Sequence, residues 1–129
     1  MPSVNIVKKE DMLFETKVGN HSLEIDVPDT MGGKDRAMTP PQLLLVAMAS
    51  CTAAFVAEYC KTAGIDSKDL KVTLNFEKTE NQTMLTNFKM NVSLPNLPEN
   101  KKQAVLRAAS ACPVHDSIKN FKGIDFVLV

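Results

Sequence analysis

The stretch from Thr39 to Gly64 constrains the fold more than any other part of this chain. Thr39 can cap a helix, Pro40 suits the first helical position, and Gln42 stands where a capping box needs a Glu or Gln. From Leu43 through Phe55 and Val56 apolar residues fall on nearly every face, the pattern of a helix buried all round. Gly64 suits the left-handed position that closes a helix. The segment therefore predicts a helix of about 20 residues, roughly 30 Å long, which spans a domain of this size. The 129 residues predict a single domain, residues 1–129, so the rest of the chain has to cover that helix.

The flanking segments supply the cover. Met12–Val18 alternates in part, Gly19-Asn20-His21 signals a turn, and Ser22–Val27 alternates cleanly with Leu23, Ile25 and Val27 on one face, so a hairpin is expected. Residues 28–36, rich in Pro, Gly and Asp, predict a loop. After the helix, Leu70–Phe76 and Phe88–Leu94 alternate as strands, with the polar stretch Glu77–Thr86 as their turn. Asn100–Ala111 predicts a helix, a shorter one starts at Cys112-Pro113 and stops near Asn120, and Phe126–Val129 predicts a final strand. The order of elements indicates an α+β fold, with helices against largely antiparallel sheet.

Composition removes several function classes. Lys plus Arg equals Asp plus Glu, at 15 each, so no net charge draws the chain to nucleic acid or an anionic membrane. Aromatic residues are few and Trp is absent, which argues against a base-stacking surface. No run of 18 or more apolar residues is present, so no membrane span is expected. The first residues lack a basic segment followed by an apolar one, so no signal peptide is expected and a cytoplasmic location follows. There the three cysteines rest as thiols, and disulfides are transient and catalytic.

Cysteine is the residue type that could carry chemistry. Cys51 lies mid-helix among the small residues Ala47, Ala49, Ser50, Ala53 and Ala54, which let a ligand or another backbone approach the sulfur, although free cysteine also packs as a small hydrophobe. Cys112 precedes Pro113 and is a candidate helix N-cap, where free N–H groups stabilise a thiolate and lower its pKa; burial as a structural cysteine is the alternative. Cys60 follows Cys51 by two and a half turns, faces the other side of the helix and takes no role. Cys112 and His115 have the spacing of half a zinc site, but no second pair completes it, so no metal and no cofactor is expected; His115 is expected at the surface or as a helix cap. There is no Cys-x-x-Cys, no P-loop and no Gly-x-Gly-x-x-Gly.

Two segments together resemble the OsmC/Ohr family of osmotically inducible and organic hydroperoxide resistance proteins. One is Thr39-Pro40-Pro41-Gln42-Leu43-Leu44-Leu45-Val46-Ala47-Met48-Ala49-Ser50-Cys51; the other is Ala111-Cys112-Pro113-Val114-His115. The resemblance, of the divergent OsmC-like branch, covers nearly the whole chain. It implies an intertwined homodimer with antiparallel sheets around long buried central helices and active sites at the subunit interface. It implies a thiol peroxidase in which Cys51 is the peroxidatic thiolate and Cys112 the resolving thiol. The substrate implied is a small organic hydroperoxide, and the reductant a dithiol such as a dihydrolipoyl group. Strongly active members carry a Glu ten residues before the first Cys, where this chain has Pro41, and an Arg in the N-terminal hairpin, where it has none. Arg36, or alternatively Lys17, is the expected support for the Cys51 thiolate. The same fold could instead hold a small apolar ligand at the dimer interface, or act as a redox sensor through a Cys51–Cys112 disulfide.

Overall fold

A computed structural model describes residues 2–129. Its elements, in order, are strands β1 (Ile6–Glu10), β2 (Leu13–Val18) and β3 (His21–Ile25), helix α1 (Pro40–Ala63), strands β4 (Lys71–Lys78) and β5 (Leu85–Ser93), and helices α2 (Lys102–Ser110) and α3 (Pro113–Lys119). The chain divides into two compact units, Met1–Val46 and Ala47–Val129, and α1 passes from the first into the second.

The first unit is an antiparallel meander in the order β1-β2-β3. Val18 pairs with His21, so the predicted hairpin turns on the two residues Gly19 and Asn20. Gly19 takes the left-handed conformation, φ 59°, that such a tight turn requires and a side chain resists. Strand β1 was not predicted; its sequence Ile-Val-Lys-Lys-Glu does not alternate, and all five residues are exposed. It forms because β2 offers it an edge, with a register shift between Lys8 and Glu10.

Helix α1 begins as the capping signals require. The Thr39 N–H donates to Gln42 Oε1 at 2.9 Å and the Gln42 N–H to Thr39 Oγ1 at 3.3 Å. It ends at Gly64, φ 70°, where the Ile65 N–H reaches back to the Cys60 carbonyl at 2.8 Å and closes the last turn.

In the second unit β4 and β5 pair antiparallel, and the core gathers on Val56 and Cys60 of α1 and Val105 of α2. Leu70, Val92, Leu94 and Leu97 pack around them. The predicted helix over Asn100–Ala111 is a 3-10 turn, Glu99–Lys101, that leads into α2.

Three expectations need correction. The predicted strand at Phe126–Val129 is not formed: the four residues are 80–115% exposed, because among the described residues no sheet edge pairs their backbone. Helix α1 is not buried all round. Only Thr52, Val56 and Cys60, one stripe at helical spacing, are buried, because α1 meets one packing surface in this chain. Finally, α1 is long and apolar enough to cross a membrane by length and composition. Small polar residues such as Ser50 and Thr52 interrupt the apolar run without lowering its average much. One stripe of it packs on α2, and most of its apolar window stays open in this chain.

Candidate active site

The second unit brings Cys51 and Cys112 together. Cys51 sits on α1, half-buried, and Cys112 stands at the start of α3, 1% exposed. Their sulfurs are near enough that Cys51 bears on the ionisation of Cys112. Neither distance in sequence nor any local pattern places them side by side; the packing of α1 against α2 and the turn into α3 do.

Local chemistry explains why α3 starts at Cys112. Its backbone is extended, φ −104° and ψ 144°, and Pro113 follows with a φ suited to the first helical turn. The Cys112 Sγ accepts the His115 N–H at 3.2 Å, as a serine oxygen would in an ordinary cap. The Cys112 carbonyl accepts the Asp116 N–H at 3.0 Å.

The cap does not lower the Cys112 pKa overall, which corrects the expectation from sequence. Burial pushes the thiol up. The His115 N–H pulls the other way, the nearby Cys51 sulfur raises it further, and the Val114 N–H again lowers it. Desolvation of the thiolate outweighs two backbone donors, so Cys112 is held as a neutral thiol. A thiol beside a half-exposed sulfur can condense with an oxidised form of that sulfur. Cys60 is fully buried in the core, where burial alone raises its pKa. His115 is exposed and contributes its backbone N–H rather than its ring. Among the described residues no group of three or more His, Cys, Asp or Glu could hold a metal ion.

Arg36 lies in the first unit and is engaged with carboxylates. Its Nε donates to Asp26 Oδ2 at 2.8 Å and its Nη1 to Glu10 Oε1 at 3.2 Å. Asp26 is fully buried and also accepts the N–H groups of Val27, Lys34 and Arg36. The Arg36 guanidinium, aided by those N–H groups, holds the Asp26 carboxyl well below the usual carboxylate range despite its burial. A Cβ at Gly33 would collide with the Val27 carbonyl oxygen, so only glycine fits where the loop closes over Asp26. Sequence reading missed Asp26 because strand alternation assigned it to the solvent side; its place just before the Pro-Gly-rich loop was the available signal.

The family model for OsmC-like protein matches residues 32–126, three-quarters of the chain and both cysteine segments. The chain belongs to the OsmC family. Among solved structures, an osmotic stress induced and detoxification response protein from Psychrobacter arcticus 273-4 is similar, with TM-score 0.78 and 18% identity over 91% of this chain and 88% of that one. An OsmC-like protein from Mycoplasma pneumoniae gives TM-score 0.71 and 18% identity, covering 92% and 87%. An organic hydroperoxide resistance protein OsmC from Legionella pneumophila, described as a predicted redox protein and regulator of sulfide bond formation, gives TM-score 0.58 and 22% identity, covering 92% and 88%. No curated protein matches the sequence. These likenesses establish the OsmC fold that the resemblance implied, with the α+β class that the order of elements predicted.

Proposed function

We propose that this OsmC protein is a cysteine-dependent peroxidase for small organic hydroperoxides, acting in the response to oxidative stress. The observation that carries the reading is the closeness of the Cys51 and Cys112 sulfurs, with Cys112 buried and held neutral. Cys51, the more exposed of the two, attacks the terminal peroxide oxygen as a thiolate. The O–O bond breaks, the substrate leaves as an alcohol after taking a proton, and Cys51 becomes a sulfenic acid. Cys112 then condenses with it to a disulfide and water, and an external dithiol, such as a dihydrolipoyl pair, reduces the disulfide. A reducing, cytoplasmic setting keeps all three cysteines free at rest, as they stand here.

Two further parts belong to the same proposal. Arg36 supports the Cys51 thiolate through its positive charge, to a degree limited by the three carboxylates it already serves. A second copy of the chain covers the apolar surface left open on α1 and at Phe126–Val129, forming the homodimer.

The test is mass spectrometry of the thiols before and after one equivalent of cumene hydroperoxide. The expected product is a Cys51–Cys112 disulfide with Cys60 unmodified. A protein whose Cys51→Ser variant still turns over hydroperoxide with a dithiol is not this enzyme.

A further inference from the structure

The second half of the proposed cycle needs two sulfurs held on separate helices to meet, and one carbonyl at the end of α2 bears on how they do. In an α-helix each carbonyl accepts from the N–H four residues on. For Ala109 that residue is Pro113, which has no N–H. The Ala111 N–H turns back to Ala108 instead, at 3.2 Å. The Ala109 carbonyl is thus left without a backbone donor at the point where the chain leaves α2 for Cys112.

Thr52 supplies the donor. Its hydroxyl, carried on α1 and 4% exposed as a residue, donates to the Ala109 carbonyl at 3.4 Å. Threonine in a helix commonly turns its hydroxyl onto its own helix, one turn back. Thr62, further along α1, does so with Glu58 at 3.2 Å. Thr52 instead reaches across to α2. Among the described residues this is the hydrogen bond, besides the contact of the two sulfurs themselves, that links α1 to the segment that carries Cys112. Thr52 directly follows Cys51, and Ala109 lies three residues before Cys112. The bond is long for O–H···O, so its consequence is for placement more than for stability.

We propose that Thr52 is the positioning residue for disulfide closure: it ties α1 to the end of α2 and so holds Cys112 within reach of oxidised Cys51. This rests on the peroxidase reading above. In the closing step the Cys112 sulfur attacks the Cys51 sulfur, the S–O bond breaks and the S–S bond forms. The Cys112 proton leaves with the hydroxide as water, so the step needs no further reagent. Its rate depends on how the two sulfurs are held, as for any reaction between fixed groups.

Wild type, Thr52→Val (same shape, no donor) and Thr52→Ser (donor kept) are compared after one equivalent of cumene hydroperoxide. Disulfide, dimedone-trapped sulfenic acid and Cys51 sulfinic acid are followed by mass spectrometry. The Cys51–Cys112 reduction potential is measured separately in glutathione buffers. In Thr52→Val the closing rate should fall about tenfold relative to the first oxidation, on the scale that small misplacements of reacting groups produce. Sulfinic acid should accumulate and the potential should become less negative, with Thr52→Ser restoring all three. If Thr52→Val does not fold, Thr52→Ala takes its place. Equal closing rates and equal potentials across the variants overturn the proposal. A wild type that forms the disulfide in glutathione but not with peroxide removes the peroxidase reading alone, and the potentials then decide the role of Thr52. A wild type that forms it in neither removes both.

Discussion

Asp26 and Cys112 are both buried almost completely, and the protein treats them in opposite ways. Asp26 has three backbone N–H groups and the Arg36 Nε on its carboxylate, so its charge is matched by donors on every side. Cys112 has the His115 N–H at 3.2 Å and a neighbouring sulfur that opposes its ionisation. One buried group is fully compensated and closes a loop. The other is left neutral beside a group it can react with. The difference teaches that burial alone does not mark a functional residue; what matters is whether its partners quench its chemistry or leave it available.

The sharpest way to break this comparison is at the sulfurs. Cys51→Ser should reduce hydroperoxide turnover to background. Cys112→Ser should still consume one equivalent and then stop, leaving a trappable sulfenic acid at Cys51; continued turnover by Cys112→Ser would remove its resolving role. On the other side of the comparison, Gly33→Ala should destabilise the protein by roughly 1–3 kcal/mol, the usual cost of forcing atoms into a filled space. The added Cβ meets backbone at Val27, not a side chain that could move aside. Urea denaturation measures this, and an unchanged midpoint would mean that the loop does not close over Asp26 as described.

The pH dependence separates the two groups by sign. Asp26 has its folded pKa held below the unfolded value, so it contributes stability above about pH 4 that is lost as the pH falls through the folded value. Cys112 and Cys60 have folded pKa values raised by burial, so their contribution is present below about pH 8.5 and is lost as the pH rises toward the folded values. Thermal melts should show Arg36→Ala weakening the acid-side dependence and Cys112→Ser weakening the alkaline-side one. The same Arg36→Ala protein should turn over cumene hydroperoxide more slowly; an unchanged rate would remove Arg36 from the proposed site. The smallest effect should come from Thr39→Ala, which loses half of an exposed capping box and about 1 kcal/mol in urea denaturation.

Local signals made most of the fold legible. Capping residues and Gly64 set both ends of α1, alternation found β2 to β5, and Cys112-Pro113 marked the start of α3. Each depends on a few neighbouring residues and their own backbone, which is why sequence suffices. The likeness to the OsmC family likewise rested on contiguous segments, Thr39–Cys51 and Ala111–His115, and the family match includes both cysteines.

Tertiary structure decided what depends on distant residues meeting. The exposed end at Phe126–Val129 reads as a strand, but a strand exists only where another edge pairs with it. The N-cap position of Cys112 points to a lowered pKa, yet desolvation reverses the direction, and desolvation depends on what packs against the sulfur. Asp26 and Thr52 carry no motif, and their roles follow from partners ten and 57 residues away. The sequence by itself determined which helix holds Cys51 and which cap holds Cys112. Only the packing of α1 on α2 decided that the two sulfurs come near each other, because nearness across 61 residues is a property of the folded core and not of any segment within it.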